Sequence, residues 1–424
     1  MQIDVDRFAE LAGSDLELAQ KLTGLTARVR VGPDASPIDL SVTDGRLGEI
    51  GPRTMVEADV VIAAPDRFWL EALQAQPPYA ACSLTAGGAD IQGDFQRHVA
   101  PYLAAFERIL VLLRITACGG LAARPDPAPR RETDDAVGRY AYVRNGELEA
   151  RIYHEQAGDG PIPLLLHATA GADGRQWRHM LADPELRRRF RMIAYDLPGH
   201  GKSLPPIGAR WWEESYRASK ALLMGWAVGL VETLGLDRPV FLGCSVGGQL
   251  ALDLAAHHAD RFRAFVSLNG WYDASPGMLS FDNAPFRSPA VSAEYSPAKV
   301  LATTSPLAPE ASRQEACWIY RSNAPGVYAG DNDYFMHDHD LKEDGHLIDT
   351  ARTPLFVLAG EYDRSASSRE HGAPAIARNV PGAIYRELPS LGHFAPSDDP
   401  EGFCAAILPV LDEVIAACRA GLPA

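Results

Sequence analysis

The sequence contains no run of some 18 apolar residues, so no membrane-spanning helix is expected. It opens on MQIDVDRFAELAGSDLELAQ, which lacks the basic start and apolar core of a secretory signal. Positive charge is in deficit. Against 55 Asp and Glu stand 40 Lys and Arg, a formal net charge of −15. Nucleic acid and anionic membrane surfaces are bound through clustered Lys and Arg, so neither is an expected partner. The six cysteines, Cys82, Cys118, Cys244, Cys317, Cys404 and Cys418, form no C-x-x-C pair and no Cys/His cluster at zinc spacing. They read as reduced, mostly buried thiols of a cytoplasmic protein. No metal and no cofactor are expected, and no repeat of solenoid length is present.

What remains is a globular composition, 46% hydrophobic and 22% charged, in a chain of 424 residues, long enough for two or three domains. The clearest break is 118–137, rich in Gly, Pro, Ala and charge, which reads as a linker. Before it, residues 1–117 read as a small α+β domain. A helix over 14–23 precedes the short runs ARVRVG, PIDLSVTDG and ADVVIAA, with TDG marking a hairpin turn. PDRFWLEALQA reads as a helix starting at a proline. A long amphipathic helix is expected from Phe95, with Leu103, Phe106, Ile109, Leu110 and Leu113 at helical spacing and Pro101 near its first turn or kinking it.

After the linker, strand-like runs alternate with helical stretches: GRYAYVRNG, ELEARIYHEQ, IPLLLHA, FRMIAYD, PVFLGCS, FRAFVSLN, TPLFVLAG and AIYRELP. Several are continuously apolar, as in central parallel strands buried on both faces. The pattern predicts an α/β layered sheet with an antiparallel hairpin at one edge. Residues 138–273 and 351–424 form its core. The stretch 274–350 is far longer than one crossover needs and is expected to be an inserted helical cap.

Ser245 stands where a buried strand turns into a helix, with Gly243 and Gly247 two places to either side. That context is what a nucleophile elbow requires. A serine needs a base to act near neutral pH, and the base needs an orienter. His393, past the last strand, and Asp363, past TPLFVLAG, supply them in the chain order Ser245, Asp363, His393. Asp273 is a rival acid, and Glu361 would point elsewhere on an extended backbone. His257 and His258 are expected to face solvent. The tract His337, Asp338, His339 and Asp340 is read as solvated cap and not as a metal site. Oxyanion donors are expected from the backbone of Val246, at the helix start, and of Thr169, in the loop after IPLLLHA. His167 is read as structural, and Asp196 and His200 as loop-shaping.

The segments LLLHATAGADGRQW, YDLPGHGKS, LGCSVGGQLALDLAAHHADRF, LAGEYDRS and LGHFAPSDDPEGF resemble, in order across residues 138–420, the α/β-hydrolase superfamily. Many of its members carry His-Gly where this chain has His167-Ala168. The resemblance implies a Ser-Asp-His hydrolase but no particular substrate. Haloalkane dehalogenases and most epoxide hydrolases of this fold place an aspartate at the elbow, so Ser245 argues against both. The expected reaction is hydrolysis of a small apolar or aromatic ester. Carbon–carbon bond hydrolysis of a diketo acid is the alternative, with Arg175, Arg178 and Arg321 as candidate carboxylate binders. Trp271, Trp318 and Trp177 are the expected substrate contacts, and Trp211, Trp212, Tyr216 and Tyr320 are further aromatics near predicted loops and the cap.

Over residues 15–115 the order of elements resembles the sterol carrier protein type 2 fold, through VTDGRLGEI, VVIAAPDRFWLEAL and LTAGGADIQGD. That resemblance implies an apolar cavity and leaves open substrate delivery, a second lid or homodimer contacts. With it comes a third reading, a non-catalytic carrier of a hydrophobic ligand.

Overall fold

A computed structural model of the chain describes residues 3–53, 57–128, 133–275, 279 and 282–420. Among them the strands form two sheets. The first has five strands in the order β3-β2-β1-β4-β5. These are β1 (Ala27–Val31), β2 (Ile38–Thr43), β3 (Arg46–Pro52), β4 (Val60–Ala63) and β5 (Asp90–Gly93). Only the β1–β4 pair is parallel. Alternation along β1 buries Ala27, Val29 and Val31 against Phe8, Trp69 and Phe106.

Two helices differ from expectation. The one expected over 14–23 is split into Val5–Ser14 and Leu16–Lys21, because the Asp15 carboxylate accepts the Leu18 N–H at 2.6 Å and starts a new helix. The long helix begins only at Leu103, because Pro101 has no N–H to give. Residues 95–102 form tighter and wider single turns instead.

The second sheet has eight strands in the order β13-β12-β11-β10-β8-β9-β7-β6. In chain order they are β6 (Val137–Asn145), β7 (Leu148–Ala157), β8 (Ile162–His167), β9 (Phe190–Tyr195), β10 (Val240–Cys244), β11 (Ala264–Leu268), β12 (Leu355–Gly360) and β13 (Ile384–Leu388). All eight expected runs become strands, and β6–β7 is the antiparallel edge hairpin. Every residue of β10, β11 and β12 is buried. Helices Lys220–Thr233 and Val246–His257 cover one face, and Arg178–Ala182 and Pro400–Ala420 the other.

Between β11 and β12 the chain inserts helices Ala284–Arg287, Ser292–Thr303, Glu310–Arg321, Val327–His337 and Leu341–Asp344. Residues 276–278, 280 and 281, at the start of the expected cap, lie outside the described residues, as do 129–132 of the expected linker. The described part of that linker is tied down. Ala122 N–H donates to Ala75 O at 2.9 Å and Arg124 N–H to Leu307 O at 2.9 Å, and Asp126 accepts the Ala311 N–H at 2.8 Å. The inserted helices also pack on the N-terminal unit, where Ala100, Leu103 and Ala104 meet Phe286, Tyr295 and Ala298. Among the described residues no helix is long and apolar enough to cross a membrane. None of the six cysteines is disulfide-bonded; Cys244, Cys317 and Cys404 are buried.

Two glycine substitutions test this packing. A Cβ at Gly243 would lie 1.9 Å from Gly247 O, whereas one at Gly13 in helix Val5–Ser14 meets nothing within 4 Å. Gly243→Ala is expected to destabilise by ~2 kcal/mol or more, and Gly13→Ala to stabilise by ~0.5–1 kcal/mol. Thermal melts should move in opposite directions; two indistinguishable shifts would contradict the packing.

Candidate active site

β10 ends at Cys244, and Ser245 follows in a left-handed backbone conformation, φ 59° and ψ −115°. Its N–H donates to Leu268 O at 2.8 Å, which pins the bend to the end of β11. The side chain cannot then continue along the strand and stands at the start of helix Val246–His257. Gly247 is needed for the close approach of β8, since a Cβ there would lie 2.7 Å from His167 O.

Three side chains distant in sequence meet at this bend. Ser245 Oγ is 2.9 Å from His393 Nε2, and His393 Nδ1 is 2.5 Å from Asp363 Oδ2. The other Asp363 oxygen accepts the N–H groups of Ser365 and Ala366, each at 3.1 Å. Nδ1–H therefore donates to Asp363, and Nε2 is left to accept from the serine. Burial disfavours the charged imidazole. The Asp363 charge and hydrogen bond outweigh it, so the His393 pKa is raised above its ordinary value.

Sequence reasoning missed the group that aligns these loops. Asn269, just past β11 at φ 52°, donates from Nδ2 to Gly392 O at 3.1 Å and His393 O at 3.0 Å. Its Oδ1 accepts the Gly360 N–H at 2.9 Å. One buried amide thus joins the end of β12 to the histidine loop. The only hint in the sequence is its place directly after a buried strand. His393 N–H, in turn, donates to Thr303 O at 3.1 Å, so the inserted helix Ser292–Thr303 also holds the loop.

A pocket of about 230 Å³ opens on Ser245, Asp363 and His393. Its walls include Trp271, Phe286, Tyr320, Tyr328 and Phe335, together with Thr169 and Ala170. Of the three tryptophans expected at the substrate, only Trp271 is there. Trp177 closes the short turn Gly174–Trp177 and is fully buried beneath the sheet against Phe403. Trp318 is 64% exposed and lines a separate cleft of about 620 Å³ between the inserted helices and the N-terminal unit. Trp211 and Trp212 are exposed and pack edge-to-face on each other, and Tyr216 bonds Asp331 at 2.9 Å.

Thr169 does not meet the oxyanion expectation. Its N–H donates to Gln176 Oε1 at 2.8 Å, and its hydroxyl is bonded to the Tyr320 phenol. Gln176, three residues past the motif's Asp173, was not foreseen. Val246 N–H lies at the helix start, where amides have no partner within the helix.

The rival groups have other partners. Asp273 binds Lys342 and, at 2.7 Å, His371. Glu361 accepts the Ser390 N–H at 2.8 Å. His257 faces solvent and reaches Asp344 at 3.2 Å, while His258 is half-buried. His339 departs from the expected solvated cap. It is buried, with Nδ1 3.0 Å from Asp253 and Nε2 2.8 Å from Trp271 O. Among the described residues no group of three or more His, Cys, Asp or Glu is placed to hold a metal ion. His167 is structural; Nδ1 meets Tyr195 Oη at 2.5 Å, and burial lowers its pKa to about 4. The Asp196 carboxylate accepts the N–H groups of Gly174 and Lys202 at 2.8 and 2.7 Å, shaping the loop. Burial raises its pKa to about 6. His200 binds Asp331 at 2.9 Å. Arg175, Arg178 and Arg321 pair with Asp173, Glu315 and Glu294, away from Ser245.

Comparison with known proteins agrees with this fold. The chain is 29% identical over 281 residues to the protein named "Putative carbamate hydrolase RutD" from Caulobacter sp. (strain K31), covering 63% of this chain and 97% of that one. It is 27% identical over 271 residues to haloalkane dehalogenase 2 of Mycobacterium tuberculosis (strain ATCC 25618 / H37Rv), covering 61% and 90%. A thermophilic esterase from Thermogutta terrifontis has the same fold, at 21% identity and a TM-score of 0.55 over 66% of this chain and 99% of that one. The family model for the alpha/beta hydrolase fold matches residues 162–400, more than half of the sequence, and the chain belongs to that family.

Proposed function

We propose that this chain is a serine hydrolase that cleaves a carboxylic ester of a small apolar or aromatic substrate through an acyl-enzyme. The observation that carries this reading is the 2.9 Å contact of His393 Nε2 with Ser245 Oγ, backed by Asp363. In the proposed first step His393 takes the hydroxyl proton as Ser245 Oγ attacks the ester carbonyl. Asp363 holds the imidazole in the required tautomer and stabilises the imidazolium that forms. Val246 N–H faces the developing oxyanion, and Ala170 N–H, beside the committed Thr169 amide, is the proposed second donor. The imidazolium then protonates the leaving alcohol. Water, deprotonated by His393, attacks the acyl-enzyme and releases the acid, restoring Ser245.

The nucleophile type separates this chain from a haloalkane dehalogenase, since an oxygen of serine stands at the bend and no carboxylate does. The arginines suggested for carboxylate binding in carbon–carbon hydrolysis are paired with Asp173, Glu315 and Glu294, so that reading loses the residues named for it. A non-catalytic carrier would have no use for three aligned groups. The five-stranded sheet with its long closing helix supports a sterol-carrier-like reading of the N-terminal unit.

Hydrolysis of short p-nitrophenyl esters tests the proposal. Ser245→Ala should lower kcat by ~10⁴-fold or more, with little effect on the thermal melt; retained turnover would rule the mechanism out. The pH profile is a second test. Only neutral His393 can accept the proton, and its raised pKa means that activity is lost on acidification at a higher pH than for an ordinary histidine. The acid limb of kcat/KM should therefore have its midpoint above ~6.5. A profile flat down to pH 5 would contradict the assigned base.

A further inference from the structure

The pocket beside Ser245 is built by more than the hydrolase sheet. Tyr79, from the N-terminal unit, lines it together with Lys299 and Thr303. Lys299 and Thr303 lie one turn apart on the inserted helix Ser292–Thr303 and share a face. The family match begins at residue 162, so Tyr79 lies outside the part of the chain it covers.

The loop that carries Tyr79 is held by two charged side chains of unusual burial. Arg114 and Glu107, on helix Leu103–Cys118, are 1% and 5% exposed. Burying such groups is costly unless every polar atom is used. Arg114 donates to the carbonyls of Ala72 at 2.5 Å and Cys82 at 3.0 Å. The Glu107 carboxylate accepts Leu84 N–H and Thr85 N–H at 3.1 Å each, and the Thr85 hydroxyl at 3.2 Å. Both charges thus fix residues 72–85 where Tyr79 meets the catalytic pocket. Burial raises the Tyr79 pKa, so its phenol stays a donor.

Among the described residues Lys299 is the one lysine or arginine lining the pocket, whose other walls are aromatic or neutral apart from the Asp363–His393 pair. Burial lowers the Lys299 pKa, and the nearby Glu107 carboxylate offsets only part of that. An ammonium offers three N–H donors, and a half-buried one binds a carboxylate more strongly than an exposed one.

We propose that Lys299 and Tyr79 form a carboxylate-recognition subsite shared between the inserted helices and the N-terminal unit, which makes the enzyme selective for esters whose otherwise apolar or aromatic frame carries one anionic group. This rests on the ester-hydrolase reading. The subsite gives the N-terminal unit a defined part in substrate choice. Lys299 acts through binding and not through the bond-breaking steps, so its loss is read in KM.

Two matched substrate pairs test the proposal. One pair is p-nitrophenyl valerate and mono-p-nitrophenyl glutarate, with the charge on the acyl side. The other is phenyl butyrate and 4-carboxyphenyl butyrate, with the charge on the leaving group. The wild-type enzyme should favour the anionic member of at least one pair by ~10-fold in kcat/KM, the scale of one charge-assisted hydrogen bond. Lys299→Met should abolish that preference by raising KM for the anionic ester, and Lys299→Arg should retain most of it. Tyr79→Phe should reduce it in part. No anionic preference in either pair, or an equal loss on both members in Lys299→Met, would overturn the subsite. Ser245-dependent turnover without preference overturns this inference alone. Absence of Ser245-dependent turnover on all four esters would overturn the ester reading and the subsite with it.

Discussion

Ser245 holds a backbone conformation, φ 59°, that costs a residue with a β-carbon ~1–3 kcal/mol, and the hydrogen bond from its N–H to Leu268 O keeps it there. The strand pair β10–β11 therefore does more than fill the core. It sets where one hydroxyl points, and the remaining elements are arranged around that point. Asn269 leaves the end of β11 and grips both the end of β12 and the histidine loop. This buried amide thus links the β12 end that leads to Asp363 with the loop of His393, which Thr303 O also holds.

The inserted helices are fastened over the pocket by two buried charged networks. In one, Asp331 accepts from Gly171 N–H at 2.7 Å and the Tyr216 hydroxyl at 2.9 Å, and lies 2.9 Å from His200. This ties helix Val327–His337 to the loop after β8. In the other, Asp253, on the helix after the bend, binds His339 and the Tyr334 hydroxyl. Its histidine partner holds the Trp271 carbonyl, and Trp271 lines the pocket. Burial works against the charge on His200 and His339, but the paired aspartates dominate and raise both pKa values. The first network joins a pocket-lining segment to the loop after β8 and the second to the helix after the bend, so the pocket's shape follows from charges placed outside it.

The strands and the three aligned residues were legible because they leave local marks: apolar runs bounded by turns, a serine between glycines, and acid and histidine just past strand ends. The errors arose where the outcome depends on what packs against a residue. Trp177 and Trp318 both look like pocket aromatics by type and position, yet one is under the sheet and the other on the rim of a different cleft. The Thr169 N–H stands in the expected donor loop, but nothing local in the sequence shows that Gln176 occupies it. Lys299 and Tyr79 carry no motif, since each reaches the pocket only through the packing of units far apart in the chain. The helix expected from Phe95 runs through irregular turns up to Pro101, the position marked for a first turn or kink, and becomes a regular α-helix only from Leu103.

The central claim is that one hydroxyl attacks the substrate and briefly carries its acyl group. The most direct measurement is intact-protein mass spectrometry, followed by peptide mapping, after treatment with a fluorophosphonate or a slowly released aryl ester. The account predicts a single adduct per chain, located on Ser245 and formed in parallel with loss of activity. Full inactivation with the label on any other residue, or turnover that persists once Ser245 is blocked, would contradict it.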